Sequence, residues 1–163
     1  MKKTISVILF VGLVSTSLFG QFTTGTKSVG GGFSYTSLSN DGEDAGSIMI
    51  INPSVNYFVM DNMAVSVSLN MTTITPSEGD ALTETGFGLG GYYHINNNIY
   101  AGGSYNSNTP DGGDASTSLN LRGGYLHGLS ESVYLDVNGN YSMGMGDNKM
   151  GGMSLGVGVV AFF

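Results

Sequence analysis

The chain contains no cysteine in its 163 residues. That absence excludes disulfide bonds, a thiolate metal site and a lipid anchor attached through a thiol. Basic residues are nearly as scarce. Apart from Lys2 and Lys3, only Lys27, Arg122 and Lys149 are present, against twelve acidic residues. Without those first two lysines the net charge is −9. So few cations speak against a nucleic-acid partner, because phosphate binding depends on Lys and Arg. They also speak against a basic patch adsorbed on a membrane surface. Long apolar runs are missing too. The best is Ile5 to Val14, too short for a comfortable transmembrane helix. It reads instead as the core of a secretory signal, with Lys2 and Lys3 before it and small residues from Ser15 to Gly20 after it. Cleavage after Gly20, or alternatively after Ser17, separates a signal peptide (1–20) from one domain (21–163).

Charge is also missing from one face of the domain. Segments 27–37, 47–59, 64–75, 84–95, 99–107, 116–127, 132–143 and 151–163 alternate with period two, the signature of strands. From Val29 onward their odd positions carry no Asp, Glu, Lys or Arg. Val65, Val67, Leu69 and Met71 are typical, as are Phe87, Leu89, Gly91 and Tyr93. The even positions are mostly Ser, Asn and Gly. Eight such strands with turn residues between them predict an all-β fold, an antiparallel up-and-down barrel.

Two arguments orient the wall. A surface of Ser, Asn and Gly is too poor in charge for a water-soluble exterior, which carries roughly a quarter to a third charged residues. And eight strands enclose only enough room for side-chain filling, which the bulky odd set would exceed. The odd face is therefore expected to meet lipid, making this a transmembrane β-barrel in a bilayer. Tyrosines sort in agreement. Tyr57, Tyr93 and Tyr125 close strands two, four and six, while Tyr35, Tyr105 and Tyr141 close one, five and seven. In an up-and-down barrel these sets form aromatic girdles at opposite rims.

Connections alternate in length. Met60 to Met63, Asn96 to Asn98 and Gly128 to Glu131 are short. Leu38 to Gly46, Pro76 to Thr83, Asn108 to Ala115 and Gly144 to Met150 are longer and acidic. Short periplasmic turns and longer outer loops are the expected asymmetry. Pro53 lies mid-strand without an N–H to donate, so a bulge or a missing ladder bond is expected there. The chain ends in the alternating run Leu155, Val157, Val159, Ala161, Phe163. That run resembles the C-terminal signal by which outer-membrane barrels are recognised, which implies the barrel-insertion machinery as a partner.

The second hairpin, Pro53-Ser-Val-Asn-Tyr57-Phe58-Val-Met-Asp61-Asn62-Met-Ala-Val65, resembles the strand–turn–strand motif of the small outer-membrane beta-barrel domain family, relatives of the OmpA-type membrane domain. Phe87-Gly-Leu-Gly-Gly-Tyr92-Tyr93 is similar to that family's fourth strand. Asn56 and Ser66 stand where glycine is usual. The resemblance implies a bacterial outer-membrane location and no defined enzymatic role.

Arg122 and Asp136 are the most notable polar pair. Both are even-numbered and hence luminal, and counting back from the 128–131 turn places them opposite or diagonal on neighbouring strands. A lone guanidinium in a narrow lumen is costly, while a hydrogen-bonded pair is tolerable. The pair reads either as a structural plug or as a gate, the latter being what the OmpA-type resemblance implies. Glu84 is luminal but sits at the outer rim. The loop carboxylates could bridge through divalent cations to lipopolysaccharide, although Asp-Gly clusters are also what turns require. Gly86 to Gly91 matches a dinucleotide fingerprint formally but sits inside a strand with no helix after it. Gly91, Gly103 and Gly123 face lipid and could form a shallow groove. His94 and His127 flank short turns, His127 beside Ser130 and Glu131, on the wrong side for chemistry on lipopolysaccharide. No enzyme, cofactor or metal site is expected. The expectation is a structural or porin-like barrel for very small solutes, or alternatively a surface binder acting through its acidic loops.

Overall fold

The computed structural model describes residues 22–40, 43–145 and 151–163. The expected signal segment, and Asp41 and Asp147 of the loops, lie outside the described residues. Eight strands form one closed antiparallel barrel in chain order, with β8 returning to β1. They are β1 (Lys27–Asn40), β2 (Glu43–Met60), β3 (Met63–Pro76), β4 (Leu82–His94), β5 (Ile99–Pro110), β6 (Ser116–Gly128), β7 (Val133–Met145) and β8 (Gly151–Phe162).

The ladders preserve parity around the whole circumference. Val55 lies across from Val67, Val67 from Leu89, Leu89 from Tyr105, Tyr105 from Leu119, and Leu119 from Met143. Odd residues meet odd residues in all eight ladders, except beyond the bulges at Leu38/Ser39 and Phe58/Met60. A single parity therefore faces outward everywhere. Its apolar members are exposed, from Phe33 through Val67, Leu89 and Leu121 to Val159. A belt of this kind would be costly in water. Moving each such side chain from water into hydrocarbon contributes on the order of 1.5–3 kcal/mol.

Two features differ from the sequence reading. First, the strands outrun the expected boundaries on the far side. β2 has 18 residues, and Asn40 still pairs with Glu43. The connections there shrink to 41–42, 77–81, 111–115 and 146–150, against 61–62, 95–98 and 129–132 on the near side. Ser, Thr and Asn continue a hairpin ladder past the apolar belt as readily as they form a loop, so composition alone did not mark the strand ends. Second, the interior is not polar throughout. Its near end holds the only buried apolar cluster among the described residues, Phe22, Phe58, Ala64, Tyr100, Leu126 and Phe162, with Tyr92, Tyr134 and Val160 against it.

Pro53 interrupts the β2–β3 ladder. Pairing passes from Ile51/Met71 directly to Ser54/Ser68, because proline has no N–H to offer. At the two-residue turn between β2 and β3, Asn62 adopts a left-handed conformation, φ 64°. Asn tolerates that region better than any residue but glycine.

Candidate functional site

The near end of the lumen is built from even positions at the ends of strands. Phe58 is the last buried position of β2, His94 ends β4, Tyr100 is the second residue of β5, Leu126 lies near the end of β6, and Phe162 ends β8. Antiparallel pairing brings these ends to one level. The chain before β1 then folds beneath them. The Asn62 N–H donates to the Phe22 carbonyl at 2.6 Å, and the Gly25 N–H to the Phe58 carbonyl at 2.8 Å. Phe22 is thereby pushed up into the mouth. Its ring stacks on His94 with centroids 4.2 Å apart and meets Phe162 edge-on at 5.2 Å. Tyr134 meets the other side of Phe162 edge-on at 5.5 Å. Offset and edge-to-face contacts of this kind add to burial. The mouth is closed by rings.

Above the rings lies a polar network. Arg122 donates through Nη2 to Asp136 Oδ2 at 2.5 Å and through Nε to the Tyr100 hydroxyl at 2.9 Å. Tyr100 donates its own proton to Asp136, 2.9 Å from Oδ1 and 3.0 Å from Oδ2. Asn138 donates to Asp136 at 3.2 Å, and Asn140 to Asn138 at 2.8 Å. Buried charge needs this degree of satisfaction. The Tyr100 ring lies against Gly124, where a Cβ would come within 2.5 Å of ring carbons, so any larger residue would displace it.

The register corrects the expected placement of the pair. Arg122 lies across from Asn140, and Asp136 across from Leu126, so they are neither opposite nor diagonal. The turn runs to 132 and pairing extends to Gly128/Tyr134, which slides Asp136 toward the near end. The length of the arginine side chain spans the offset. Tyr100 enters from β5, across β6, and period-two reading gave it no role. The overlooked signal was available: Phe58, Tyr92, His94, Tyr100, Leu126, Tyr134 and Phe162 are even, bulky and beside the short turns.

Between this network and the wall of β1 and β2 lies a cavity of about 70 Å³, bordered by Ser28, Asn52, Ser54, Asn56, His94 and Arg122. That volume accommodates a few waters. Two buried polar atoms, His94 Nδ1 and Asn120 Oδ1, have no hydrogen-bond partner among the described residues. Higher up the lumen, Asn70 reaches Asn106 at 3.4 Å.

The other residues singled out from sequence are distributed as follows. Tyr35, Tyr57, Tyr93, Tyr105, Tyr125 and Tyr141 all point outward and are exposed. Leu155, Val157 and Val159 are exposed on the same parity, while Ala161 and Phe163 are half-buried. The Phe163 backbone exchanges two hydrogen bonds with Lys27, at 2.8 and 2.9 Å. Glu84 is half-buried near the far end, across from Thr72 and Pro110, well away from Arg122. His127 is exposed, and the nearby Ser130 hydroxyl accepts from the Val133 N–H at 3.2 Å. Glu78, Asp80, Asp111 and Asp114 are exposed in the far connections.

Among solved structures, the chain is similar to the Yersinia pestis outer membrane protein Ail in a phospholipid bilayer nanodisc. The TM-score is 0.60 at 16% identity, over 85% of this chain and 99% of that one. It is similar as well to the N-terminal β-barrel domain of Pseudomonas aeruginosa OprF, with a TM-score of 0.59 at 14% identity over 86% and 98% of the two chains. The same organism's outer membrane protein OprG gives 0.59 at 14%, over 89% and 99%. The fold is that of the small outer-membrane barrels. No protein-family model and no curated protein matches the chain. In this barrel the short turns and both described chain ends share the plugged end, and the acidic connections share the other.

Proposed function

We propose that this protein is a closed structural barrel of the bacterial outer membrane rather than an open pore. The carrying observation is the ring plug in its lumen, Phe22, Phe58, His94 and Phe162, with the Arg122–Tyr100–Asp136 network bracing β5, β6 and β7 above it. The space left beside the network, against β1 and β2, holds a few waters. In this reading the six outward tyrosines are the interfacial girdles, and Leu155 to Phe163 is the strand read by the insertion machinery. Arg122 and Asp136 are a structural plug, because Tyr100 and Asn138 complete the shell around Asp136 and leave it fully engaged. Purified protein in planar bilayers should show no resolved single-channel steps. Steady, reproducible conductance steps from unmodified protein would exclude the closed scaffold.

A second reading has one observation in its favour. The strands extend beyond the apolar belt on the acidic side, which presents Glu78, Asp80, Asp111 and Asp114 on short, stiff connections. Carboxylate oxygens suit hard divalent cations, and such cations could bridge to lipopolysaccharide phosphates. Calorimetry with magnesium or calcium separates the readings, since a pure scaffold gives no saturable heat.

A further inference from the structure

One seam of the barrel is much shorter than the others. The β1–β8 ladder runs from Lys27/Phe163 to Gly32/Gly158 and stops. Neither strand stops there. Among the described residues, β1 continues to Asn40 paired only with β2, and β8 reaches back to Gly151 paired only with β7. From Phe33 on one strand and Val157 on the other, each therefore presents a backbone edge with no strand beside it among the described residues. Exposure records the gap. Leu155 is 93% and Met153 86% exposed, whereas Val67, Leu69 and Leu89, flanked on both sides, lie between 53% and 57%.

The parting has a local cause. β1 carries three consecutive glycines, Gly30 to Gly32, on the last rungs before it leaves β8. Gly31 lies against Pro53, at the level where the next ladder is also interrupted. The Gly32 N–H bonds the Asn52 side chain at 2.9 Å. The outer half of β1 is thus held by β2 and weakly tied to what lies below it.

The free edges sit partly within the belt. Phe33, Leu155 and Val157 are outward apolar residues, and Met153 pairs with Tyr141 of the outer tyrosine set. Lipid tails cannot satisfy backbone N–H and C=O groups, so open sheet edges do not persist in hydrocarbon. Exposed edges are commonly guarded by lysine, proline or inward charge. Neither Phe33-Ser-Tyr-Thr-Ser-Leu38 nor Gly151-Gly-Met-Ser-Leu-Gly-Val157 contains any of these. The edges are built to pair.

We propose that the β1–β8 seam is an interaction surface and that its occupant is the same seam of a second copy of this chain. The partner it requires is a strand with a free edge at the same depth and of opposite direction. A twofold axis along the membrane normal supplies two at once. It preserves the up or down sense of each strand, so β1 of one copy meets β8 of the other antiparallel, as within one barrel. Continuing the existing register across the interface places Phe33 opposite Val157, and Tyr35 opposite Leu155. The contact is isologous and closes after two copies.

The native absence of cysteine makes the test direct. Tyr35→Cys/Leu155→Cys protein is folded into liposomes, oxidised and run on a non-reducing denaturing gel. The expected product is a covalent dimer, formed also when the reduced protein is diluted into excess lipid before oxidation. It should also form when singly substituted Tyr35→Cys and Leu155→Cys proteins are co-folded. An internally bridged monomer would mean that the seam closes on itself, and an unbridged monomer that it stays open alone; either overturns the proposal, as does a dimer that fails to form when the reduced protein is diluted into excess lipid before oxidation. Leu89→Cys/Tyr105→Cys, a pair inside the uninterrupted β4–β5 ladder, must bridge internally and verifies folding and oxidation. Phe33→Cys/Val157→Cys repeats the test if the first pair does not fold.

Discussion

Tyr100 donates its hydroxyl proton to Asp136 at 2.9 Å from a strand that is not adjacent to it, since β6 lies between them. The bond therefore passes over β6 on the inside of the wall instead of following a ladder. With Arg122 bonded to both groups, three strands are tied together through their side chains. This is why the lumen reads as a brace and not as a passage.

Losing that hydroxyl should cost stability without dismantling the barrel. Tyr100→Phe keeps the ring against Gly124 but removes one donor to Asp136 and one acceptor for Arg122. Hydrogen bonds to charged groups contribute about 1.5–3 kcal/mol, and a loss of that size is expected in urea unfolding from liposomes. An unchanged midpoint would show that the bridge carries no load.

Breaking the ion pair from one side should be worse than removing it entirely. Arg122→Met leaves the Asp136 carboxylate buried with only neutral donors, a loss of about 3–5 kcal/mol. Arg122→Met/Asp136→Leu removes both charges and should recover most of it. The signature is the sign of the coupling, read from a double-mutant cycle. Equal losses in the single and double variants would argue against the pair as a mutual partner.

The ring plug should respond to truncation at its centre. Phe22→Ala removes the ring that stacks on His94, and large-to-small changes at buried aromatics cost about 3–5 kcal/mol. Phe58, His94 and Phe162 still crowd the mouth, so conductance should stay absent. Phe22→Ala combined with Tyr100→Ala should be the first combination to leak small ions in bilayer recordings.

One latch is sensitive to acid. The Thr24 N–H and hydroxyl both donate to Asp61 Oδ1, at 2.8 and 3.0 Å, and hold that exposed carboxyl below the usual carboxylate range, the backbone bond contributing most. A depressed folded value means the contribution is complete above the unfolded value near pH 4 and fades as pH falls through the folded one. Asp61→Asn should therefore differ from the parent in unfolding midpoint at pH 7 and converge with it in strong acid. A difference independent of pH would assign the effect to something other than the charge.

The wall of this barrel is legible in the sequence because a strand has an integer period. Val65, Val67 and Leu69 announce their face whatever the register, and the absence of charge on that face identifies lipid. Position along the strand is a different matter. Arg122 and Asp136 could be assigned to the lumen by parity, yet their offset depends on how the 129–132 turn closes, which composition does not encode. Phe58, His94 and Phe162 are bulky even positions, and that they meet depends on where the strand ends fall. Phe22 precedes the first strand altogether, and its place under the barrel follows from hydrogen bonds made by Asn62 and Gly25. The short β1–β8 seam is invisible to any pattern, since both strands alternate faultlessly through the gap.

The central claim is that alternate residues of one wall meet hydrocarbon. It is tested most directly by a nitroxide scan of single cysteines from Ala64 to Met71 in liposomes. Collisions with oxygen should peak at Val65, Val67, Leu69 and Met71, with collisions with a water-soluble nickel chelate low at those sites. Arginine substitution gives the energetic counterpart, with Val67→Arg costing about 2–4 kcal/mol. If instead the odd positions are readily reached by the chelate, or the two parities are indistinguishable, that face is not buried in a bilayer.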